Sequence, residues 1–152
     1  MKEAIIIGAG RLGKGFIGET IANSPAWNMT FIDADPVVIS NLREAGSYHV
    51  TVHRFDRIEE HIISDFEAYT WRQEAVIDKI NQADLIMFVI YPEKISEAVI
   101  TLMDGLKVRK EKNPHQNLSI IFLTNKNHMM QGIHEQFSRM LTDTDHIWFN
   151  NH

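Results

Sequence analysis

Glu3-Ala4-Ile5-Ile6-Ile7-Gly8-Ala9-Gly10-Arg11-Leu12-Gly13, taken with Met29-Thr30-Phe31-Ile32-Asp33, decides the fold. An Ile-rich segment from Glu3 to Ile7 that turns abruptly to glycine reads as a buried strand ending in a sharp turn. Leu12, Phe16, Ile17 and Ile21 then recur at helical spacing until Asn23-Ser24-Pro25, which gives a helix from Leu12 to Ala22. Met29 to Ile32 is a second strand, and Asp33 stands at its end, 20 positions past Gly13. A strand, a G-x-G-x-x-G turn, a helix and an acid at that distance form the dinucleotide-binding arrangement. Gly8 would permit the tight turn, Gly10 the approach of a pyrophosphate, and Gly13 close packing of helix on strand. Backbone N–H groups of Ala9, Gly10, Arg11, Leu12 and Gly13 at the positive end of the helix would hold the phosphates. Asp33 would accept from the ribose hydroxyls and repel a 2′-phosphate, favouring NAD over NADP. The competing reading is an ordinary glycine turn beside an unrelated strand-end carboxylate; three glycines alone leave it open, but the strand, helix and distal acid together do not.

Outward from this unit, Asp35-Pro36 supplies an N-cap with proline at the first helical position, and a helix runs to about Ala45 with Gly46 as its C-cap. Ser47 to His53 is rich in β-branched and aromatic residues and Ile58 to Tyr69 looks extended with breaks, a small antiparallel excursion. Helical spacing returns from Trp71 to Ile80. Leu85 to Ile90 is a continuous apolar run suited to a strand covered on both faces. Pro92 starts a long helix with an inner face of Ile95, Val99, Leu102, Met103 and Leu106. Lys107, Arg109, Lys110 and Lys112 read as its solvated, dipole-favoured end. Asn113 to Asn117 is a loop, Leu118 to Leu123 a strand, and Met129, Ile133, Phe137 and Leu141 lie on a final helix. The alternation implies one α/β domain over residues 1–152, a doubly wound parallel (Rossmann) sheet with a small antiparallel excursion.

The 152 residues carry a formal charge of -5, which argues against broad binding to nucleic acid or to an anionic membrane. There is no cysteine, which excludes disulfides, thiolate metal sites and cysteine nucleophiles. No apolar run approaches a membrane span and no cleavable signal pattern is read, so a cytoplasmic location is expected. His49 and His53 are four apart but in a strand-like segment, and His128 and His134 are six apart, so neither pair has the helical i, i+4 arrangement of a zinc pair and no metal is expected. The methionines read as core filling.

Gly8-Ala9-Gly10-Arg11-Leu12-Gly13-Lys14-Gly15-Phe16-Ile17-Gly18 resembles the opening of the mannitol-1-phosphate 5-dehydrogenases, of the polyol-specific long-chain (mannitol) dehydrogenase family. Thr30 to Asp33, Ser47 to Val52, Gly105 to Lys110, and Ile120-Ile121 leading to Asn125 are further points of likeness. The resemblance implies an NAD-dependent oxidoreductase acting on a small polyol phosphate or polyol. In it hydride passes between nicotinamide and the carbon that is an alcohol in mannitol 1-phosphate and a ketone in fructose 6-phosphate. It places Asn125 near the nicotinamide ribose, while the residues alone leave open that Asn125 is a helix N-cap. It also implies a second, mainly helical domain carrying the acid–base groups, which this chain lacks, so no catalytic residue is assigned. Lys126 and His128 receive no role from it. Two positions depart from the family: Thr124 replaces an acidic residue, and Tyr91 replaces a glycine, where it would narrow the nicotinamide half of the groove. The other readings are a noncatalytic module using a dinucleotide as regulatory ligand, and a dehydrogenase of an unphosphorylated polyol or sugar acid.

Overall fold

The computed structural model describes residues 1–71, 73–123 and 129–151. Its strands are β1 (Lys2–Ile7), β2 (Trp27–Asp33), β3 (Tyr48–His53), β4 (Ile58–Ile63), β5 (Phe66–Thr70), β6 (Leu85–Phe88) and β7 (Ser119–Phe122). A π-helical stretch, Gly13–Gly18, runs directly into α1 (Glu19–Ala22); the other helices are α2 (Pro36–Ala45), α3 (Ala75–Gln82), α4 (Ile95–Lys112), α5 (Met129–Met140) and α6 (Asp143–Asn151). Among the described residues, none of the helices is long and apolar enough to cross a membrane.

The main sheet has the order β5-β2-β1-β6-β7, and every neighbouring pair in it is parallel. Side chains alternate across a strand, so Ile5 and Ile7 of β1 join the core under α3, α4 and α5, while Ala4 and Ile6 join the core under α1, α2 and the β3–β4 hairpin. Helices on both faces are why β1 can be apolar at successive positions. The doubly wound α/β reading therefore stands. So do both ends of α2: the Asp35 side chain accepts from the Val37 N–H at 2.8 Å, and Gly46 closes the helix at φ +64°.

Several boundaries differ from the sequence expectation. β3 and β4 pair antiparallel, Tyr48 opposite Ile63, but the excursion ends there. Asp65, at φ 59°, turns the chain, and β5 enters the main sheet parallel to β2. α3 begins at Ala75 rather than Trp71, because Thr70 and Gln73 close a turn first: the Thr70 N–H donates to the Gln73 side chain and the Gln73 N–H to the Thr70 carbonyl. The final helical region is two helices. Thr142 lies between them, and its N–H and hydroxyl both donate to the Asp145 carboxylate, a capping arrangement that starts α6.

The first helix departs most from the simple spacing. Leu12 and Phe16, expected on its buried face, are 50% and 61% exposed. The π-winding lengthens the turn; Ile17 and Ile21 face inward as their spacing suggests, joined by Gly13 and Gly18 in place of Leu12 and Phe16. A Cβ at Gly18 would lie 2.4 Å from the Tyr48 hydroxyl, which donates to the Lys14 carbonyl at 3.1 Å. Burial, and then the charge of Glu19, hold the Tyr48 phenol well above its ordinary pKa, so it remains a donor. The hairpin is thus fastened to the helix that follows the glycine turn.

Arg109 is a second correction. It is fully buried, not part of a solvated helix end. Three residues past Leu106, it continues the inner face of α4, and its guanidinium donates to the carbonyls of Ile80 and Asn81 at the end of α3 and of Gln116 and Asn117 before β7. Burial draws its pKa down and the charge of Asp84 opposes this. Lys110, its neighbour, pairs with Asp145 at 2.5 Å.

Candidate functional site

β1 and β6 lie side by side, but the chain leaves them toward opposite faces of the sheet, into the π-helical stretch from one and toward α4 from the other. Divergence of this kind opens a crevice beyond the carboxyl ends of the strands. Here it is a cleft of about 450 Å³, with Gly8, Gly10 and Asp33 on one side and Val89, Ile90 and Tyr91 on the other.

The three glycines of the turn occupy different environments. Gly8 has φ +107°, donates to the Ile32 carbonyl at 2.8 Å, and has the Val89 carbonyl oxygen 2.5 Å from where a Cβ would stand. Gly13 is closed by the Gly8 carbonyl oxygen, 1.9 Å from the corresponding point. A Cβ on Gly10 would meet nothing within 4 Å, and Gly10 lines the cleft. Gly8 and Gly13 are therefore required by packing, whereas the empty space over Gly10 is where a group from outside can approach the backbone closely.

Asp33, half-buried at the end of β2, accepts from the Ala9 N–H at 2.7 Å with one oxygen and from the Asp35 N–H at 3.0 Å with the other. These bonds tie the glycine turn to β2 and fix the carboxylate. Each oxygen keeps a further acceptor position, so Asp33 can still receive two hydroxyls. Ala9 is buried; Arg11 and Leu12 are exposed at the start of the helical run. The structure thus gathers Gly8, Ala9, Gly10, Arg11, Leu12, Gly13 and Asp33 at one end of the sheet. Asn125, like Thr124, Lys126 and His128, lies outside the described residues.

Trp71, Lys94 and Glu97 also line the cleft although no motif in the sequence points to them, and Tyr91, a departure from the family, lines it with them. Trp71 directly follows β5, and Lys94 and Glu97 lie where the chain enters α4 after β6. Ligands of such sheets collect at strand carboxyl ends, so once the strand order is known these positions follow; the order itself is invisible in local spacing. Tyr91 is 76% exposed and stands at the cleft mouth.

Among the described residues no group of three His, Cys, Asp or Glu side chains could hold a metal ion. His61 faces Glu19 with one ring nitrogen at 2.9 Å and Glu59 with the other at 3.5 Å, so these three groups do not converge. They fasten the hairpin to α1.

A family model described as the mannitol dehydrogenase Rossmann domain matches residues 2–152. The mannitol-1-phosphate 5-dehydrogenase of Lacticaseibacillus paracasei is 33% identical over 126 residues, covering 82% of this chain and 33% of the relative. That of Lactococcus lactis subsp. lactis is 28% identical over 152 residues, covering 99% of this chain and 39% of the relative. The chain spans about a third of the length of these curated relatives. Among solved structures, the TrkA-N domain of the Escherichia coli inner membrane protein ybaL superposes with a TM-score of 0.54 at 17% identity, over 89% of this chain and 82% of that one. Prephenate dehydrogenase from A. aeolicus in complex with hydroxyphenyl propionate and NAD+ does so with a TM-score of 0.54 at 15% identity, over 90% and 38%. Both share the fold.

Proposed function

Since the chain belongs to the mannitol dehydrogenase family through its Rossmann domain, we propose that it is the NAD(H)-binding part of an oxidoreductase that interconverts mannitol 1-phosphate and fructose 6-phosphate. The observation that carries the dinucleotide reading is the open face of Gly10 beside the fixed carboxylate of Asp33. A pyrophosphate fits where no Cβ stands, against the free backbone N–H groups at the start of the helical run. The adenosine ribose then reaches Asp33, whose charge disfavours a 2′-phosphate.

In this reading Gly8 and Gly13 shape the turn, Ala9 anchors it to Asp33, and Gly10, Arg11 and Leu12 present backbone to the phosphates. Asn125, which follows β7 in sequence, keeps the place beside the nicotinamide ribose that family resemblance gives it. Bound NAD(H) supplies or accepts the hydride. Polarising the substrate carbonyl and moving the proton fall to a second domain, for which the greater length of the relatives speaks. Domain 1–152 binds and orients; it contributes no acid–base group of its own. The polyol phosphate is favoured over an unphosphorylated polyol because the curated relatives are named for it.

Calorimetric titration of the chain with NAD+ and NADP+ tests the cofactor assignment. Tighter binding of NAD+ is expected, with the preference reduced in Asp33→Asn, which keeps the size of the side chain and removes its charge. Equal or tighter binding of NADP+ by the unaltered chain would remove Asp33 from this role.

A further inference from the structure

Beyond Asp33 the cleft continues into a second hollow of about 380 Å³, lined by Ala34, Pro36, Thr70, Trp71 and Glu97. Ala34, Trp71 and Glu97 border both spaces, whereas the glycines of the turn and Tyr91 border only the first. With a pyrophosphate at Gly10 and a ribose at Asp33, the base on that ribose has its place past Ala34, in this hollow. Its lining combines one aromatic face with one carboxylate that makes no polar contact among the described residues.

Trp71 is half-buried at the end of β5 and packs against the core under α3, α4 and α5, so its indole is held in place before anything binds. Its remaining surface borders the hollow and the adjoining cleft. Glu97 is exposed in the first turn of α4 and makes no hydrogen bond or ion pair among the described residues. A carboxylate only accepts hydrogen bonds. It therefore favours a base edge that donates, as the 6-amino group of adenine does, and disfavours one that accepts, as a 6-oxo group does.

We propose that Trp71 and Glu97 form a base-selective subsite, Trp71 stacking on the purine and Glu97 accepting from its 6-amino group. The chain then discriminates adenine from hypoxanthine at the distal end of the dinucleotide. The proposal rests on the dinucleotide reading of the cleft and adds to it a choice of base, which the glycine turn and Asp33 cannot make because they touch only phosphate and sugar.

The probes are NAD+ and its 6-oxo analogue nicotinamide hypoxanthine dinucleotide, titrated into the 152-residue chain with heat and tryptophan emission as readouts. NAD+ should bind about fivefold or more tightly than the analogue and quench Trp71 emission. Glu97→Gln, whose amide can donate to a 6-oxo group, should bring the two affinities together while the preference for NAD+ over NADP+ stays. Trp71→Leu should weaken both dinucleotides about tenfold, and Trp71→Phe should recover most of that loss; the second variant separates lost stacking from a disturbed core. Two results would overturn the subsite while leaving the dinucleotide reading intact: NAD+ binding with no difference between the bases, or a base preference that survives Glu97→Gln. Failure of both nucleotides to bind at millimolar concentration would overturn the dinucleotide reading, and the subsite with it.

Discussion

Replacing Gly13 by alanine and Gly10 by alanine should have opposite effects, although both glycines belong to one six-residue motif. At Gly13 the new Cβ would stand 1.9 Å from the Gly8 carbonyl oxygen, against an ordinary contact of 3.4–4 Å, with the Gly8 carbonyl carbon 3.1 Å away as well. Relief needs about 1.5 Å of movement between two backbone segments, since no flexible side chain is there to give way. Overpacking a well-packed site costs about 1–3 kcal/mol when side chains can adjust. A rigid backbone clash sets the expectation at about 3 kcal/mol or more, a fall in melting temperature of roughly 6–12 °C for a chain of this size. At Gly10 nothing lies within 4 Å of the new Cβ and φ is not in the left-handed range. Restricting the unfolded chain there stabilises by about 0.4–1 kcal/mol, a rise of roughly 1–4 °C. NAD+ affinity should fall in Gly10→Ala and vanish in Gly10→Val, whose branched side chain fills the approach to the backbone. Thermal melts by circular dichroism with calorimetry on the same samples separate the two effects. Gly13→Ala melting with the unaltered chain would refute the packing argument, and normal NAD+ binding by a folded Gly10→Val would mean the phosphates lie elsewhere.

Arg109→Met should lower stability by about 3 kcal/mol or more, because four hydrogen bonds from one buried guanidinium are lost at once and the Gln116 and Asn117 carbonyls lose this donor, while those of Ile80 and Asn81 keep weaker bonds from the Ala83 N–H and the Asn113 amide; denaturant melts read this directly, and a loss under 1 kcal/mol would contradict the clamp. The Lys110 ammonium, with the hydroxyl and N–H of Thr142, holds the Asp145 carboxyl down at about 2 from an ordinary 3.8. The stability this contributes is present above 3.8 and lost as pH falls through about 2. The melting-temperature difference between the unaltered chain and Lys110→Met should accordingly be constant near neutrality and close below pH 3, and a difference independent of pH would sink the pairing. The chain alone should not turn over mannitol 1-phosphate with NAD+, or fructose 6-phosphate with NADH, since removal of carbonyl-polarising and proton-transfer groups costs orders of magnitude in rate. Steady change in NADH absorbance that is lost in Lys126→Ala or His128→Ala would make it a self-sufficient enzyme.

What could be read from sequence was whatever short-range chemistry specifies. The β1–glycine–helix unit, the Asp35 cap with Pro36, and Gly46 at the end of α2 each depend on a few adjacent residues, and each is where the spacing puts it. The strand order was legible only as a class. That β5 leaves the excursion to pair with β2 depends on the turn at Asp65 and on contacts far apart in the chain. A 3.6-residue period puts Leu12 and Phe16 inside, but the chain winds wider here, where Gly18 lets the Tyr48 hydroxyl approach, and both side chains are exposed. Residue type alone argues for a solvated Arg109, whereas its place three positions after Leu106 puts it on the buried stripe. In the cleft, the motif revealed the glycines and Asp33. Trp71 and Glu97 come from other strands and helices and meet Asp33 only in the folded sheet.

The most direct measurement of the central claim is an amide nitrogen–proton correlation spectrum of the isotopically labelled chain titrated with NAD+. The resonances of Gly8 through Gly13, with Asp33 and Ala34, should shift saturably and with a common affinity, while those of the hairpin tip around Phe55, fully exposed and not part of the cleft lining, stay in place. Saturable shifts confined to another surface, or no shifts at millimolar NAD+, would contradict it.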